Sequence, residues 1–258
     1  MNQIQYPYVL NSFAYSSALD KLTYKPTDLT LDSGAFTAWN SGKSVDIAEY
    51  ADWCLTWRAK NPAVRAVNLD VIPGEAGRTS TAQERKDGMA QSLKNADYLR
   101  GKGITIEEVF HQDEPFEFLD LLVSRLPEGQ VLCISPRNDV SKQARLNWLK
   151  KTLAHLVKTV GKDNLPKMHG LAVTSKDLML SFPFYSVDSS TYANPARFGV
   201  TFDHDGRGIT TKEFLGVNVR SGDDGAMRMM MSQSIDYYRK MQGLVTTTWK
   251  RRGIVWED

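Results

Sequence analysis

Leu29-Thr30-Leu31-Asp32-Ser33-Gly34 is a short apolar, β-rich run that ends on a carboxylate, followed by a glycine able to turn the chain. The pattern returns along the sequence. Val64 to Leu69 leads into Asp70, Ile104 to Phe110 into His111-Gln112, and Phe184 to Val187 into Asp188. Between these runs lie stretches with helical spacing: Asp46 to Lys60 (Ile47, Tyr50, Ala51, Cys54 and Trp57 on one face), Ala82 to Arg100, and Phe116 to Arg125. Further along, Gln130 to Ile134 precedes a helix over Lys142 to Val160, and Lys167 to Val173 precedes a short one over Lys176 to Ser181. A β-like stretch at Phe198 to Phe202 and a helix from about Ser232 to Trp249 close the series.

Strand-then-helix repetition predicts an α/β fold with parallel strands, either a doubly wound sheet or a (β/α)8 barrel. The barrel is favoured. No glycine-rich phosphate loop follows any strand, the 258 residues match a typical barrel of about 250, and polar residues recur at strand C-terminal ends, where barrels build their sites. With no low-complexity linker or fixed repeat, residues 1–258 are expected to form a single domain.

Composition narrows the class further. Hydrophobic residues at 41% and charged residues at 24% describe an ordinary globular chain, which excludes disordered and fibrous classes. Cys54 and Cys133 belong to no CxxC or Cys/His cluster, so no structural zinc is expected and a reducing, cytoplasmic setting is the simplest reading. No apolar run approaches the roughly 18 residues that span a bilayer, and Met1 to Leu10 lacks an export signal, so no membrane association is expected.

Each candidate side chain has a chemical and a structural reading. Asp32 and Asp188 suit chemistry at an anomeric carbon, one carboxylate attacking or stabilising the sugar and the other handling protons. Equally, Asp32 reads as a turn cap and Asp188 as an N-cap. Asp70 could accept two parallel N–H donors from a guanine-like edge, or simply shape a turn. Gln112 offers both a donor and an acceptor to a base, while His111 also fits a core position. Metal ligation by His111, Asp113 and Glu114 is disfavoured, because His155, His169 and His204 show no matching spacing. Gly170, inside the run His169-Gly170-Leu171-Ala172-Val173, marks a close approach of backbone, ligand or packed side chain. The methionines Met227, Met229, Met230 and Met231 read as packing at a helix start.

Taken in order, these segments resemble the tRNA-guanine transglycosylases and their DNA-modifying relatives in phages and bacteria. Leu31-Asp32-Ser33-Gly34-Ala35-Phe36 is similar to the family's aspartate-serine-glycine-glycine motif, and Asn68-Leu69-Asp70 to its second aspartate motif. Phe110-His111-Gln112 resembles its base-reading glutamine, His169 to Val173 its glycine-leucine-alanine-valine strand, and Ser186-Val187-Asp188 the segment of its nucleophile. The resemblance implies a (β/α)8 barrel that exchanges guanine in a nucleic acid for a 7-deazaguanine, without a cofactor. Asp188 would form a covalent glycosyl-enzyme and Asp32 would handle the proton. Ser33, Asp70, Gln112 and the Gly170, Leu171 and Ala172 segment would bind the base. Two departures, no cysteine after Asp188 for the family's zinc site and a shorter chain, favour the compact branch acting on DNA, with tRNA as the alternative polymer. A glycoside or nucleoside hydrolase using the same carboxylates is the alternative reaction. Ala35 and Asp113 also stand where the family has glycine.

Thirty-two basic against 30 acidic residues give a net charge of +2, with no overall nucleic-acid signature. Local balance differs. Ile104 to Glu128 holds seven acidic residues and one basic, and Arg137 to Lys167 eight basic and two acidic. Such a basic run reads as a solvated helix face or, together with Arg197, Lys250, Arg251 and Arg252, as a phosphate-contacting surface.

Overall fold

The structure, a computed structural model, describes residues 7–75, 78–194, 198–203, 206–216 and 224–256. It is an α/β fold in two compact units, one of Met1–Ser141 with Pro166–His169, the other of Lys142–Leu165 with Gly170–Asp258.

In the first unit β1 (Tyr8–Ser12), β2 (Asp28–Asp32), β3 (Arg65–Val67) and β4 (Ile106–Glu107) form a parallel sheet in sequence order, with Leu10 opposite Thr30, Leu31 opposite Ala66 and Val67 opposite Glu107. β5 (Val109–His111) pairs in parallel with β6 (Val131–Ser135), and β7 (Lys167–Gly170) lies beside β6. The parallel α/β class is therefore as expected. Closure is not: no pairing among the described residues joins the strands into a barrel. β1 carried no sequence expectation of its own.

Helices α1 (Ala35–Asn40), α2 (Ile47–Lys60), α3 (Ala82–Gly101) and α4 (Phe116–Arg125) also belong to this unit. Asp46 caps α2 by accepting from the amides of Ala48 and Glu49, and Thr81 with Glu84 forms a capping box on α3. Leu29, Leu31, Tyr50, Ala51, Cys54, Ala66, Leu99 and Ile106 make the core, which is where the predicted face of α2 is spent.

The expected strand Ile104 to Phe110 is instead two pieces, and the break falls at Glu108. Adjacent residues of an extended chain point to opposite sides, so the neighbouring carboxylates diverge. Glu107 meets Arg65 at 2.7 Å, and Glu108 meets Arg100 at 2.8 Å. Both carboxylates are buried, so the acidic run is partly interior rather than solvated.

In the second unit α5 (Lys142–Val160) and α6 (Lys176–Ser181) precede β8 (Ser186–Val187). β9 (Val200–Phe202) does not continue the parallel series: it pairs antiparallel with β10 (Gly208–Thr210). That hairpin is followed by α7 (Thr211–Leu215). It is fixed from behind by α8 (Asp224–Arg251), where the buried Thr201 hydroxyl donates to Met230 O at 2.8 Å. α8 starts well before Ser232, because Ala226 and Met230 extend the buried stripe of Ser234, Ile235, Met241 and Trp249 toward the N-terminus.

Candidate functional site

In the first unit polar side chains stand at or just beyond the ends of β2, β3 and β5. Asp32 is the last residue of β2, and its Oδ2 accepts from the amide of Gly34 at 3.0 Å. Gly34 adopts a φ of +76°, open to glycine at little cost, and a Cβ there would stand 3.1 Å from Ser12 Oγ. The turn-capping role is thus real, and it fixes the half-buried carboxylate at the strand end. Ser33 is buried beside it.

Tyr50 ties this strand to the next. Its hydroxyl lies 3.0 Å from Leu31 O and 2.7 Å from Val67 O, joining the ends of β2 and β3. Burial first, then Cys54, Asp32 and Asp70, push its phenol well above the ordinary tyrosine range. The phenol stays neutral, and the two aspartates share its neighbourhood.

Asp70 follows β3 in a loop clamped by α3. Asn68 Nδ2 donates to Ser92 O at 2.9 Å, the amide of Val71 to Ser92 Oγ at 2.8 Å, and Asn95 Nδ2 to Leu69 O at 2.6 Å. The buried Asp70 carboxylate then meets the imidazole of His111, with Oδ2 to Nε2 at 2.6 Å. The amide of His111 in turn donates to Oε2 of buried Glu114 at 2.7 Å.

Gln112 is oriented by two bonds. Its amide donates to Ser135 O at 3.0 Å, and its side-chain Oε1 accepts from the amide of Arg137 at 3.1 Å. With the carbonyl end so committed, the end that can serve a ligand is the NH2 donor. Asp113, which departs from the glycine of the resembled family, has a φ of +78°. Aspartate tolerates this left-handed conformation better than most residues, and Arg137 binds its carboxylate at 3.0 Å. Phe36, on α1 four residues beyond Asp32 in the chain, is 53% exposed, with its ring 5.9 Å from that of Trp39.

Burial and close neighbours shift the titration of His111 and Glu114. Burial pushes Glu114 up to about 7, against the opposing pull of His111. Burial lowers His111, but Asp70 and Glu114 outweigh it, so the imidazole holds its proton above its ordinary range. A proton held on Glu114 keeps that buried carboxyl neutral, the inexpensive state for an interior group. The pH dependence follows in sign. Between 4.5 and about 7 the folded protein keeps a proton on Glu114 that the unfolded chain releases, so stability from this group falls as pH rises through that window. Urea unfolding near pH 5 and near pH 8 should show the loss, and Glu114→Gln should flatten the dependence.

The second unit gathers the other predicted residues. The amide of Asp188 donates to Gly170 O at 3.2 Å, and Asp188 Oδ1 accepts from the amide of Ala172 at 2.9 Å. Ala172, expected to present its backbone to a base, therefore gives its N–H to the carboxylate, from a φ of +54°. Leu171 lies between them, half-buried. Gly170 is required sterically, because a Cβ there would come within 2.8 Å of the Phe184 ring. Asp188 is not a helix cap: Ser189 fills that place by accepting from the amide of Thr191 at 3.1 Å.

The charged run divides by role. Arg137 bonds to Asp113 and Asp139, and Lys142 to Asp177. Lys150, Lys151 and Lys158 of α5, Lys162 after it, and Lys250 and Arg251 of α8 are exposed. Arg252 instead donates to Leu180 O and lies over the Trp249 ring. Arg197 lies outside the described residues.

Among the described residues, no group of three or more His, Cys, Asp or Glu is arranged to hold a metal ion. Sequence reasoning did not find the Tyr50 tie, the Glu114 and Arg137 supports or the α3 clamp, since each joins positions far apart or works through the backbone. Comparison with models of known protein families and with curated proteins finds no match.

Proposed function

We propose that this chain is a guanine transglycosylase that replaces guanine in DNA with a 7-deazaguanine base, and that its strands complete the barrel that such a reading implies. The observation that carries the reading is the polarity of the first unit's strand ends. Asp70 is an acceptor and Gln112, its carbonyl already used, is a donor. Guanine presents the complement, N1–H and N2–H donors beside the O6 acceptor, and the exposed Phe36 ring would be available for stacking.

In this reading the target nucleotide leaves its stack. A carboxylate oxygen of Asp188 attacks C1′, the bond from C1′ to N9 breaks, and guanine departs with the electron pair and takes a proton from the Asp32 carboxyl. The incoming base then gives its N9 proton to Asp32 as N9 attacks C1′ and releases the Asp188 carboxylate. One glycosidic bond is broken and one made, so no cofactor or outside energy is required. Exposed lysines of α5 with Lys250 and Arg251 would meet phosphates, in a salt-dependent manner.

The test is incubation with labelled guanine or a 7-deazaguanine and either duplex DNA or tRNA. Label is expected in DNA. Label in tRNA alone would reassign the polymer, base release without incorporation would make the enzyme a hydrolase, and no reaction would overturn the reading. Asp70→Asn turns an acceptor pair into a mixed donor and acceptor, which should raise KM for guanine by about 10- to 100-fold. An unchanged KM and base preference would remove Asp70 from recognition.

A further inference from the structure

We propose that His111 is the positioning residue of base recognition: its ring nitrogen pins one oxygen of Asp70, so that the carboxylate plane is set for a base edge bearing two N–H donors. This rests on the transglycosylase reading and deepens it.

The geometry is that of a built arrangement. Asp70 sits in a loop, and the α3 clamps hold its backbone but leave the carboxylate free to rotate about its terminal torsion. The contact of Oδ2 with His111 Nε2 at 2.6 Å removes that freedom. His111 itself ends β5, and its amide is bound by the Glu114 carboxyl, so the imidazole is placed by the strand and by the turn that follows. An ionised carboxylate is acceptor-only, which makes Nε2 the donor and leaves Oδ1 and a second lone pair of Oδ2 for a ligand. The imidazole also sets a positive partner against a carboxylate that is itself buried. The titratable groups facing this pair are Glu114 from the turn after β5 and the Tyr50 phenol from α2, which also feels Asp32 at the end of β2. Near it α3 contributes the uncharged Ser92 and Asn95.

Two measurements on the full chain test this. The first is NMR titration of the His111 ring in the protein alone. The ring should stay protonated above the ordinary histidine value of about 6.5, and Asp70→Asn should bring it down. Ordinary titration, unmoved by Asp70→Asn, would overturn the pairing whatever the enzyme's activity. The second is exchange kinetics with labelled guanine. His111→Leu should raise KM for guanine by about tenfold with a smaller change in kcat, while His111→Gln, which keeps a donor but no charge, should recover part of the loss. If His111→Leu is insoluble, His111→Gln alone should still raise KM. Unchanged KM in a folded variant overturns the role of His111. A wild-type protein that exchanges no base overturns the transglycosylase reading and this role with it, a result distinct from either His111 outcome.

Discussion

Asp188→Asn should lower base exchange by about a thousandfold or more and abolish any covalent protein–DNA adduct. The substitution is nearly isosteric. An asparagine carbonyl can still accept from the amide of Ala172, so the turn that places Ala172 at a φ of +54° keeps its anchor. Nor is a helix cap lost, because Ser189 fills that position. What disappears is the anionic oxygen that would attack C1′, together with its ability to leave as a carboxylate. Thermal unfolding should therefore stay close to wild type while single-turnover exchange collapses. If the adduct persists in this variant, the nucleophile is another carboxylate, and Asp32 becomes the first to replace.

The largest effect on stability is expected at Arg65. Its guanidinium joins Asp28 at 2.5 Å to Glu107 at 2.7 Å, and the Glu107 side chain is only 2% exposed. Arg65→Met keeps much of the volume but leaves a buried carboxylate without its nearest cation, at a cost of about 3–5 kcal/mol. Burial already raises Glu107, with Arg65 and then His169 opposing, so the loss of Arg65 favours the neutral acid still more. The sign with pH follows. The variant should be least impaired in acid, where Glu107 is protonated in both states, and progressively worse as the unfolded chain ionises. Denaturant unfolding over that range measures it. Adding Glu107→Gln should recover part of the loss, since the stranded charge is gone.

Much of the first unit was legible because its signals are local. An apolar run before Asp32 and the face of α2 need only neighbouring residues to be read. The polar strand ends were legible as well: Asp32 ends β2, Asp70 follows β3, and Asp70 meets His111 at the end of β5. What escaped depends on partners distant in sequence. In the sequence Glu107 and Glu108 are only two members of an acidic run, and their burial shows once Arg65 and Arg100 are seen beside them. Tyr50 reads as one more apolar position, while its hydroxyl is what joins two strand ends. β9 has the composition of another parallel strand, yet its partner is the nearby β10, a choice that composition does not specify. In the candidate site His111 looked like a bystander to Gln112, and only the fold brings Asp70 to it.

The most direct test of the proposed chemistry is to trap the intermediate. Wild-type protein incubated with guanine-containing duplex DNA and no incoming base, then denatured and digested, should yield a DNA-linked peptide whose mass and fragmentation place the sugar on Asp188. A linkage at a different residue, or no adduct under conditions where labelled guanine enters the DNA, would contradict the glycosyl-aspartate mechanism.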